Sequence, residues 1–405
     1  MRTRSIAWIV WLIASIFYAY QYILRVMPSV MIDNITHRFH IDTAIYGQYS
    51  GIYYIGYSLM HLPIGIMLDR FGPKRVLTGC ILISVVGLLP LIYASNWIYP
   101  IIGRALIGMG SSAAILGIFK IIRMTFNEQH FTRMLSFSVT IGLLGAIYGG
   151  GPLRYLYDLV GYDDVIKIFA LFGALLALLT YFIVPDLKEV QTTTVLSDIK
   201  LVITNKYVIL LCLFAGFMVG PLEGFADVWG PAFLRQFYNL NSSTASYLPS
   251  LIFLGMCFGA PALSFLAEKI GNYLLVITLA GLVMLLNFIG LVVGFFTTES
   301  MMFAFTIVGI CCAYQILAIY KASTYMPENV AGLTTAIANM IIMSFGYAIH
   351  TAIGIVINYF KETDVAHSFI YGISVIPFTL CIGVSGFFIL LLVEQRKLRS
   401  FALTH

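Results

Sequence analysis

Charged side chains are scarce in this chain. Asp, Glu, Lys and Arg make up 10% of its 405 residues, and 60% are hydrophobic even without its 35 glycines. A typical soluble domain is about a quarter charged and roughly half apolar with glycine counted. A soluble protein with so little charge would be unable to cover its surface with polar groups. The composition therefore makes lipid the solvent for much of the chain.

The chain also lacks the motifs of several kinds of chemistry. It has no Gly-x-x-x-x-Gly-Lys-Ser/Thr phosphate loop and no soluble domain to hold one. No His-x-x-x-His or Cys-x-x-Cys pair occurs, and the six cysteines lie inside apolar runs rather than at metal-ligand spacing. The basic residues form short, scattered clusters, unlike a nucleic-acid-binding surface. We therefore expect no enzymatic activity, no cofactor, no metal site and no nucleic-acid partner.

Long apolar runs are what the sequence has in abundance. A helix needs about 20 apolar residues to cross the hydrocarbon core, and spans of that length exclude barrel strands. Twelve runs qualify, at 6–31, 44–68, 75–94, 97–121, 133–156, 164–184, 207–231, 244–267, 273–295, 300–323, 332–358 and 367–393. They predict an all-α membrane protein of twelve transmembrane helices in two six-helix, pseudo-symmetric halves, 1–185 and 207–405. The polar stretch 186–206 is the predicted cytoplasmic linker.

Positive charge is distributed unequally between the two sides of this topology. Of the 23 Lys and Arg residues, 16 fall on the side of the termini, five on the other side and two inside the membrane. Because cytoplasmic loops carry the excess of Lys and Arg, both termini are expected in the cytoplasm. The sequence thus predicts a multi-pass protein of the bacterial inner membrane, embedded in the lipid bilayer as a monomer.

A short segment recurs 199 residues downstream. Four positions keep their residue type, and the pairs are Gly56 with Gly255, Asp69 with Glu268, Arg70 with Lys269 and Gly72 with Gly271. Ser264 stands where the first copy has Gly65. A twofold internal repeat is a recurring transporter architecture, so the echo supports the division into halves.

The first copy carries a specific resemblance. Its string Gly65-Ile-Met-Leu-Asp69-Arg70-Phe-Gly72-Pro73-Lys74-Arg75 resembles the signature loop of the major facilitator superfamily, Gly-x-x-x-Asp-Arg-x-Gly-x-Lys/Arg-Lys/Arg. Arg104 with the small residues after it is similar to the family's span-four motif. The glycine-rich stretch 142–152 is similar to its span-five motif. The resemblance implies transport by alternating access.

In the family the signature loop is a conformational latch on the cytoplasmic side. Its expected members here are Gly65, Asp69, Arg70, Gly72, Lys74 and Arg75. We expect Gly65 and Gly72 to let neighbouring helices approach closely. The alternative is a plain, positively charged cytoplasmic loop after a helix-ending glycine.

Charged residues inside spans are costly, which makes them candidate site residues. The helical rise places Arg25, Arg104 and Glu223 in the outer half of spans 1, 4 and 7. In the family, spans 1, 4, 7 and 10 line the central cavity, which implies a polar site there. Arg25 can bind a carboxylate bidentately, and Glu223 can bind an amine. The alternatives are that Arg25 snorkels to the surface or pairs structurally with Glu223.

Uncharged side chains extend this candidate site. One face of span 1 continues from Arg25 through two tyrosines and a glutamine at helical spacing, and a Tyr-Gln pair falls near the midplane of span 10. The expected substrate-binding residues are Tyr18, Gln21, Tyr22, Arg25, Arg104, Glu223, Tyr314 and Gln315.

Other polar groups inside the spans fit structural roles. Asp227 is expected near the outer headgroups, while His61 and His350 fit packing positions. Lys120 and Lys321 lie near the cytoplasmic ends of their spans and can reach water. The tyrosines of span 2 either line the cavity or pack.

Without a nucleotide site, transport must be facilitated or driven by an ion gradient. Glu223 is the expected proton-coupling residue, with protons as its partner. Span 1 resembles the phagosomal nutrient-transporter branch of the family, which often has an acid where this chain has Gln21. That branch moves amino acids and related nutrients, so we expect a symporter or uniporter of a small polar organic molecule, an amino acid or short peptide. The alternatives are an organic-anion transporter and a transporter-like membrane receptor or sensor.

Overall fold

The structure is a computed structural model that describes residues 2–185, 195–362 and 364–404. Within these ranges the chain is almost entirely helical and forms no strand. Of the predicted linker 186–206, residues 186–194 lie outside the described residues. The part that follows contains the helix Val195–Thr204.

Twelve helical crossings account for the described chain. Ten continuous helices and one helix pair bent by 45° are long and apolar enough to cross a membrane. One of the ten, Thr43–Tyr93, has 51 residues and is about 77 Å long at 1.5 Å per residue, enough for two crossings. It breaks at Gly72, whose φ of 77° lies outside the helical range. The predicted all-α fold of twelve spans is confirmed.

The spans are numbered 1 to 12 along the chain. Their bounds are Ile6–Val26 for span 1, Thr43–Tyr93 for spans 2 and 3, Ile98–Thr125 for span 4, Arg133–Gly149 with Gly151–Val160 for span 5, Tyr162–Ile183 for span 6, Lys206–Phe237 for span 7, Ser242–Ile270 for span 8, Tyr273–Val292 for span 9, Thr298–Ser323 for span 10, Ala331–Phe360 for span 11 and Val365–Arg396 for span 12. An even number of crossings places both ends on one side of the molecule, called the terminal side below. The opposite side is called the far side.

Two spans end differently from the predicted ones. Span 1 stops at Val26, and a separate helix, Pro28–Phe39, follows it on the far side. Proline lacks a backbone N–H and cannot continue a helix, but it fits the first turn of the next one. Span 7 continues to Phe237, six residues beyond its predicted end at 231.

The repeat detected in the sequence corresponds to repeated structure. Gly72 and Gly271 both adopt positive φ, 77° and 70°, and each follows its acid-base pair with one residue between. A Cβ atom at Gly56 would lie 2.3 Å from a backbone oxygen of span 4, and one at Gly255 would lie 2.1 Å from a backbone oxygen of span 10. Equivalent glycines thus permit equivalent close helix contacts in each half, as small residues do in membrane proteins.

The two halves meet closely on the far side. A Cβ atom at Gly47 in span 2 would lie 2.5 Å from the backbone oxygen of His350 in span 11, and one at Gly150 in span 5 would lie 2.9 Å from a backbone oxygen of span 8. At the surface, Asp33 and Arg235 form an ion pair between the halves at 2.7 Å. Backbones this close leave no room for a solute to pass. We call this set of contacts the far-side seal.

Candidate functional site

A wide helical turn positions two acidic side chains of span 7. Residues Gly220–Trp229 are π-helical, a rare geometry that is frequent at functional sites. The turn directs both Glu223 and Asp227 toward Arg25 of span 1. The guanidinium of Arg25 forms an ion pair with Glu223, and its Nε donates to Oδ2 of Asp227 at 2.5 Å. The contact joins the N-terminal half to the C-terminal half within the far half of the molecule.

Tyr54 of span 2 completes this contact. Its hydroxyl lies within hydrogen-bonding distance of both carboxylates, 2.8 Å from Oε2 of Glu223. Its ring also faces Arg25, with the guanidinium carbon 5.2 Å from the ring centroid. Neither Glu223 nor Asp227 has any exposed surface, and Arg25 is 5% exposed. Three spans therefore converge on one buried group of charges.

Arg104 of span 4 holds the adjacent backbone of span 1. Its two terminal nitrogens donate to the carbonyl oxygens of Leu24 and Arg25, at 2.6 and 2.7 Å. Its guanidinium carbon lies 4.9 Å from the centroid of the Tyr53 ring. Helix ends leave their last carbonyls without helical partners, and span 1 ends at Val26. Arg104 thus satisfies these carbonyls and fixes the segment that presents Arg25.

The four buried charges balance. Arg25 and Arg104 contribute two positive charges, and Glu223 and Asp227 two negative ones; we call this group the charge cluster. Buried ions are tolerated when they are paired and hydrogen-bonded, and removing one partner is strongly destabilising. In the conformation described, neither guanidinium is free, because one faces two carboxylates and the other two carbonyls.

Two buried amides hydrogen-bond to the charge cluster and to the tyrosine beside it. Gln315 of span 10 donates from Nε2 to Oε1 of Glu223 at 3.2 Å. Gln21 of span 1 accepts a hydrogen bond from the hydroxyl of Tyr53 at 2.8 Å. Tyr22 lies one turn before Arg25, and the guanidinium carbon is 5.2 Å from its ring centroid. The predicted cluster on spans 1, 4, 7 and 10 is therefore brought together.

Tyr314 is where the structure departs from the predicted site. Its hydroxyl donates to the carbonyl oxygen of Ala215 in span 7 at 2.7 Å, and the residue has no exposed surface. The side chain is engaged in packing between spans 7 and 10, and its place in the site floor stays a prediction. Its sequence neighbour Gln315 reaches Glu223 because consecutive residues point to different faces of a helix.

Asp227 and Tyr54 are the functional candidates that sequence reasoning missed. Asp227 was expected near the outer headgroups because span 7 was ended at residue 231. The span continues to Phe237, which leaves Asp227 inside the molecule beside Arg25. The i, i+4 spacing of Glu223 and Asp227 is a signal that would have grouped them on one face. Nothing in the sequence distinguishes Tyr54 from its neighbouring tyrosines.

The signature loop forms contacts within its own half. Asp69 pairs with Lys120 of span 4 at 2.9 Å, a partner that the sequence interpretation discounted. The amine of Lys74 lies 4.7 Å from the ring centroid of Tyr181 in span 6. The guanidinium carbon of Arg70 lies 5.5 Å from the adjacent Phe71 ring. Arg75 is exposed on the same surface.

Gly65 does not have the packing role expected of it, and Gly72 has a backbone role. A Cβ atom at Gly65 would meet nothing within 4 Å, so no neighbouring helix approaches closely there. Gly72 is needed for its backbone, since φ of 77° and ψ of 163° form a combination open essentially to glycine alone. It breaks the helix between spans 2 and 3 and lets the chain reverse.

The two intramembrane histidines have apolar or aromatic surroundings. His350 has no exposed surface, its ring centroid lies 5.6 Å from that of Tyr54, and neither ring nitrogen has a hydrogen-bond partner among the described residues. His61 lies 5.3 Å from the Tyr57 ring. Within the described part of the chain, no group of three or more His, Cys, Asp or Glu side chains is arranged to hold a metal ion.

Comparison with known proteins places the chain in a family. The family model described as Major Facilitator Superfamily matches residues 10–351. A nitrite extrusion protein from Bacillus subtilis (strain 168) is 22% identical over 329 residues, covering 78% of this chain and 79% of that protein.

Solved structures of several transporters share the fold. A bacterial homologue of the human lysosomal transporter Spinster, inward-facing and unoccupied, matches with a TM-score of 0.74 at 17% identity, over 95% of this chain and 96% of that one. A D-xylose–proton symporter matches with a TM-score of 0.72 at 14% identity, over 94% and 96%. A nucleoside transporter matches with a TM-score of 0.75 at 14% identity, over 94% of this chain and 99% of that one. With the family match over most of its length, the chain belongs to the Major Facilitator Superfamily and is a membrane transporter rather than an enzyme.

Proposed function

We propose that the chain is a secondary transporter that carries a small polar organic solute across the bacterial inner membrane by alternating access. The observation that carries the proposal is the charge cluster, which joins spans 1 and 4 of one half to span 7 of the other. A contact between halves made of buried charges is held only while the halves are closed on that side. Its separation would open the far side and expose polar groups to a solute.

The proposed orientation places the terminal side in the cytoplasm. The excess of Lys and Arg on that side supports it, by the positive-inside rule. The proposed domains are the halves 1–185 and 207–405 with the linker 186–206, in a monomer. Because the far-side seal is closed, the conformation described is then the one that admits solute from the cytoplasm.

The balance of the charge cluster bears on the charge of the solute. An amino acid or short peptide, as the span 1 resemblance suggests, would have to take its carboxylate partner Arg25 from two acids that already neutralise it. An organic anion, or an inorganic one as in the name of the nitrite extrusion relative, would need a free cation. Both arginines are occupied, so the geometry favours a solute without net charge over an anion.

Proton coupling is proposed to act through Glu223. A proton on this carboxyl would remove one of the two negative charges that face Arg25 and weaken the tie between the halves. Asp227 would keep Arg25 paired, so the guanidinium would not be left alone in a buried position. The cycle of protonation and release would thereby be linked to opening and closing of the far-side seal.

Uptake into proteoliposomes tests the proposed function. Purified protein is reconstituted and offered radiolabelled amino acids, dipeptides, nucleosides, sugars and organic acids, with and without an inwardly directed proton gradient. At least one uncharged or zwitterionic solute is expected to accumulate above protein-free vesicles. A folded protein that exchanges none of them would contradict the proposal and favour a receptor or sensor.

A further inference from the structure

Five aromatic rings form a continuous surface on spans 1 and 2. Tyr18 and Tyr22 contact each other edge to face, with ring centroids 5.2 Å apart. On span 2, Tyr53 stacks on Tyr57 at 6.2 Å and 21°, and Tyr57 lies 5.3 Å from His61 at 30°. Tyr57 also lies close enough to both tyrosines of span 1 to interact with them electrostatically. We call these five residues the aromatic wall.

Three of the five rings of the aromatic wall are accessible where a packed core would not be. Tyr18, Tyr22 and Tyr57 are half-buried, although Tyr18 and Tyr57 lie near the middle of their spans and contact residues of other spans. Tyr20 and Tyr54, by contrast, are fully buried and have hydroxyl partners in neighbouring spans. These three rings therefore keep exposed surface at a depth where a packed core would cover it.

Two neutral amides adjoin the aromatic wall. The amide oxygen of Gln21 accepts from Tyr53, while its amide nitrogen has no hydrogen bond among the described residues. Asn339 of span 11 lies beside Tyr57. The nearest full charges are Arg104, whose guanidinium carbon lies 4.9 Å from the Tyr53 ring, and Arg25, at 5.2 Å from the Tyr22 ring; both belong to the balanced charge cluster. The wall thus offers flat faces together with neutral donors and acceptors.

We propose that the aromatic wall selects an uncharged solute with a planar ring and several hydrogen-bonding groups, the chemistry of a nucleoside. The inference rests on the proposed transport function and narrows its substrate class. A planar ring stacks on Tyr57 and Tyr22, as aromatic side chains bind flat π systems in offset or edge contacts. The hydroxyl and amide groups of the solute bind Gln21 and Asn339. A zwitterion is disfavoured because both arginines beside the rings already have partners, two carboxylates for Arg25 and two carbonyls for Arg104.

Four radiolabelled probes separate the effect of a planar ring on binding from the effect of charge. Uridine has a planar ring and no charge, and ribose is its sugar without the ring. Tyrosine has a ring and is zwitterionic, and alanine is its backbone without the ring. Binding to the purified full-length protein and exchange in proteoliposomes are measured for each probe. We expect uridine to bind and exchange at least about tenfold better than the other three, in line with the strength of single stacking contacts.

Substitutions of Tyr57 test whether the aromatic wall is the substrate-binding site. Tyr57→Leu is expected to weaken uridine binding about tenfold, while Tyr57→Phe, which keeps the ring, retains it within about threefold. Tyr359→Leu is the matched control, because Tyr359 is 79% exposed on span 11 and lies outside the wall. Retained binding by Tyr57→Phe shows that the position tolerates substitution without loss of fold.

The outcomes distinguish this inference from the transport function itself. Exchange of alanine or tyrosine at or above the level of uridine would overturn the inference and leave the carrier in place. If Tyr57→Leu exchanges uridine as fast as the Tyr359→Leu control does, the aromatic wall is not the substrate-binding site, and the inference is overturned as well. Failure of the folded protein to exchange any of the four probes would overturn the inference, and failure across the wider uptake panel would overturn the transport function.

Discussion

The two acids that contact Arg25 have different surroundings. Glu223 also accepts a hydrogen bond from Gln315 of span 10, so a change in its charge is felt by spans 1, 7 and 10 together. The second oxygen of Asp227, Oδ1, has no partner among the described residues. In the proposed mechanism, this difference is the reason for placing proton coupling on Glu223 and constant pairing of Arg25 on Asp227.

Glu223→Gln is expected to separate coupling from transport. The amide keeps the shape and hydrogen bonds of a protonated carboxyl but cannot release a proton. Accumulation driven by a proton gradient should fall to the level of facilitated uptake, while exchange of solute across the membrane persists. Proteoliposome uptake with and without the gradient measures both, and Glu299→Gln, at an exposed acid, is the control. Full gradient-driven accumulation by Glu223→Gln would rule out the assigned role.

Arg25→Gln is expected to destabilise the folded protein. The substitution leaves Glu223 and Asp227 buried without their cation, which typically costs roughly 3–5 kcal/mol. Thermal unfolding of the purified protein measures the loss. Arg25→Lys should recover part of it, because lysine keeps the charge but lacks the planar fork. If Arg25→Gln melted at the same temperature as the wild type, the two buried carboxylates would not need Arg25 for the stability of the fold.

At the residue scale, the charged residues of the site were easier to predict than the contacts that each of them makes. Charged residues inside apolar runs are conspicuous, so Arg25, Arg104 and Glu223 could be grouped by depth alone. The ion pair with Asp227 depends on the wide turn of span 7, and the packing role of Tyr314 depends on helix rotation. Neither is encoded in hydropathy.

The crossing of spans 2 and 11 is the element that holds the far side closed. Gly47 of span 2 and Gly354 of span 11 bring the two backbones together; a Cβ atom at Gly354 would lie 2.3 Å from the backbone oxygen of Thr43. Both obstacles are backbone atoms, which cannot move aside as flexible side chains do. A side chain added at either glycine must therefore push the two helices apart.

Gly47→Val is expected to open the far-side seal. Ser50→Cys, at a fully buried position of span 2, reports opening in a background without the native cysteines. Labelling by a membrane-impermeant maleimide from the far side should rise several-fold with Gly47→Val. Gly65→Val, the same substitution on the same span, should leave labelling unchanged, because the space beside Gly65 is open. Equal labelling in both variants would show that the crossing does not control access.

The number of elements followed from local sequence, whereas the ends of spans 1 and 7 and the contacts between elements did not. The number of spans and the chain reversal at Gly72 could be expected from apolar length and the glycine in the signature loop. The expectation of a close helix approach at Gly65 is wrong, because a small residue permits a helix contact without requiring one. The break after Val26 was obscured by an apolar run that continues through Pro28.

The whole molecule is held in a conformation closed on one side. Sequence established the family signature and the repeat, because both are local strings. The side that is sealed could not be predicted, since it depends on contacts between halves about 200 residues apart, such as Asp33 with Arg235. Transport by alternating access requires these contacts to break in every cycle.

Bridging the far-side seal is the most direct test of that requirement. In a background without the native cysteines, Asp33→Cys and Arg235→Cys are joined by a short, reducible thiol cross-linker across the two halves. Arg38→Cys and Asp163→Cys form the matched control, because their native ion pair of 2.9 Å lies within one half. Solute exchange in proteoliposomes should fall below about a tenth in the bridged protein, return on reduction, and persist in the control. Exchange at the unbridged rate with the halves joined would contradict alternating access.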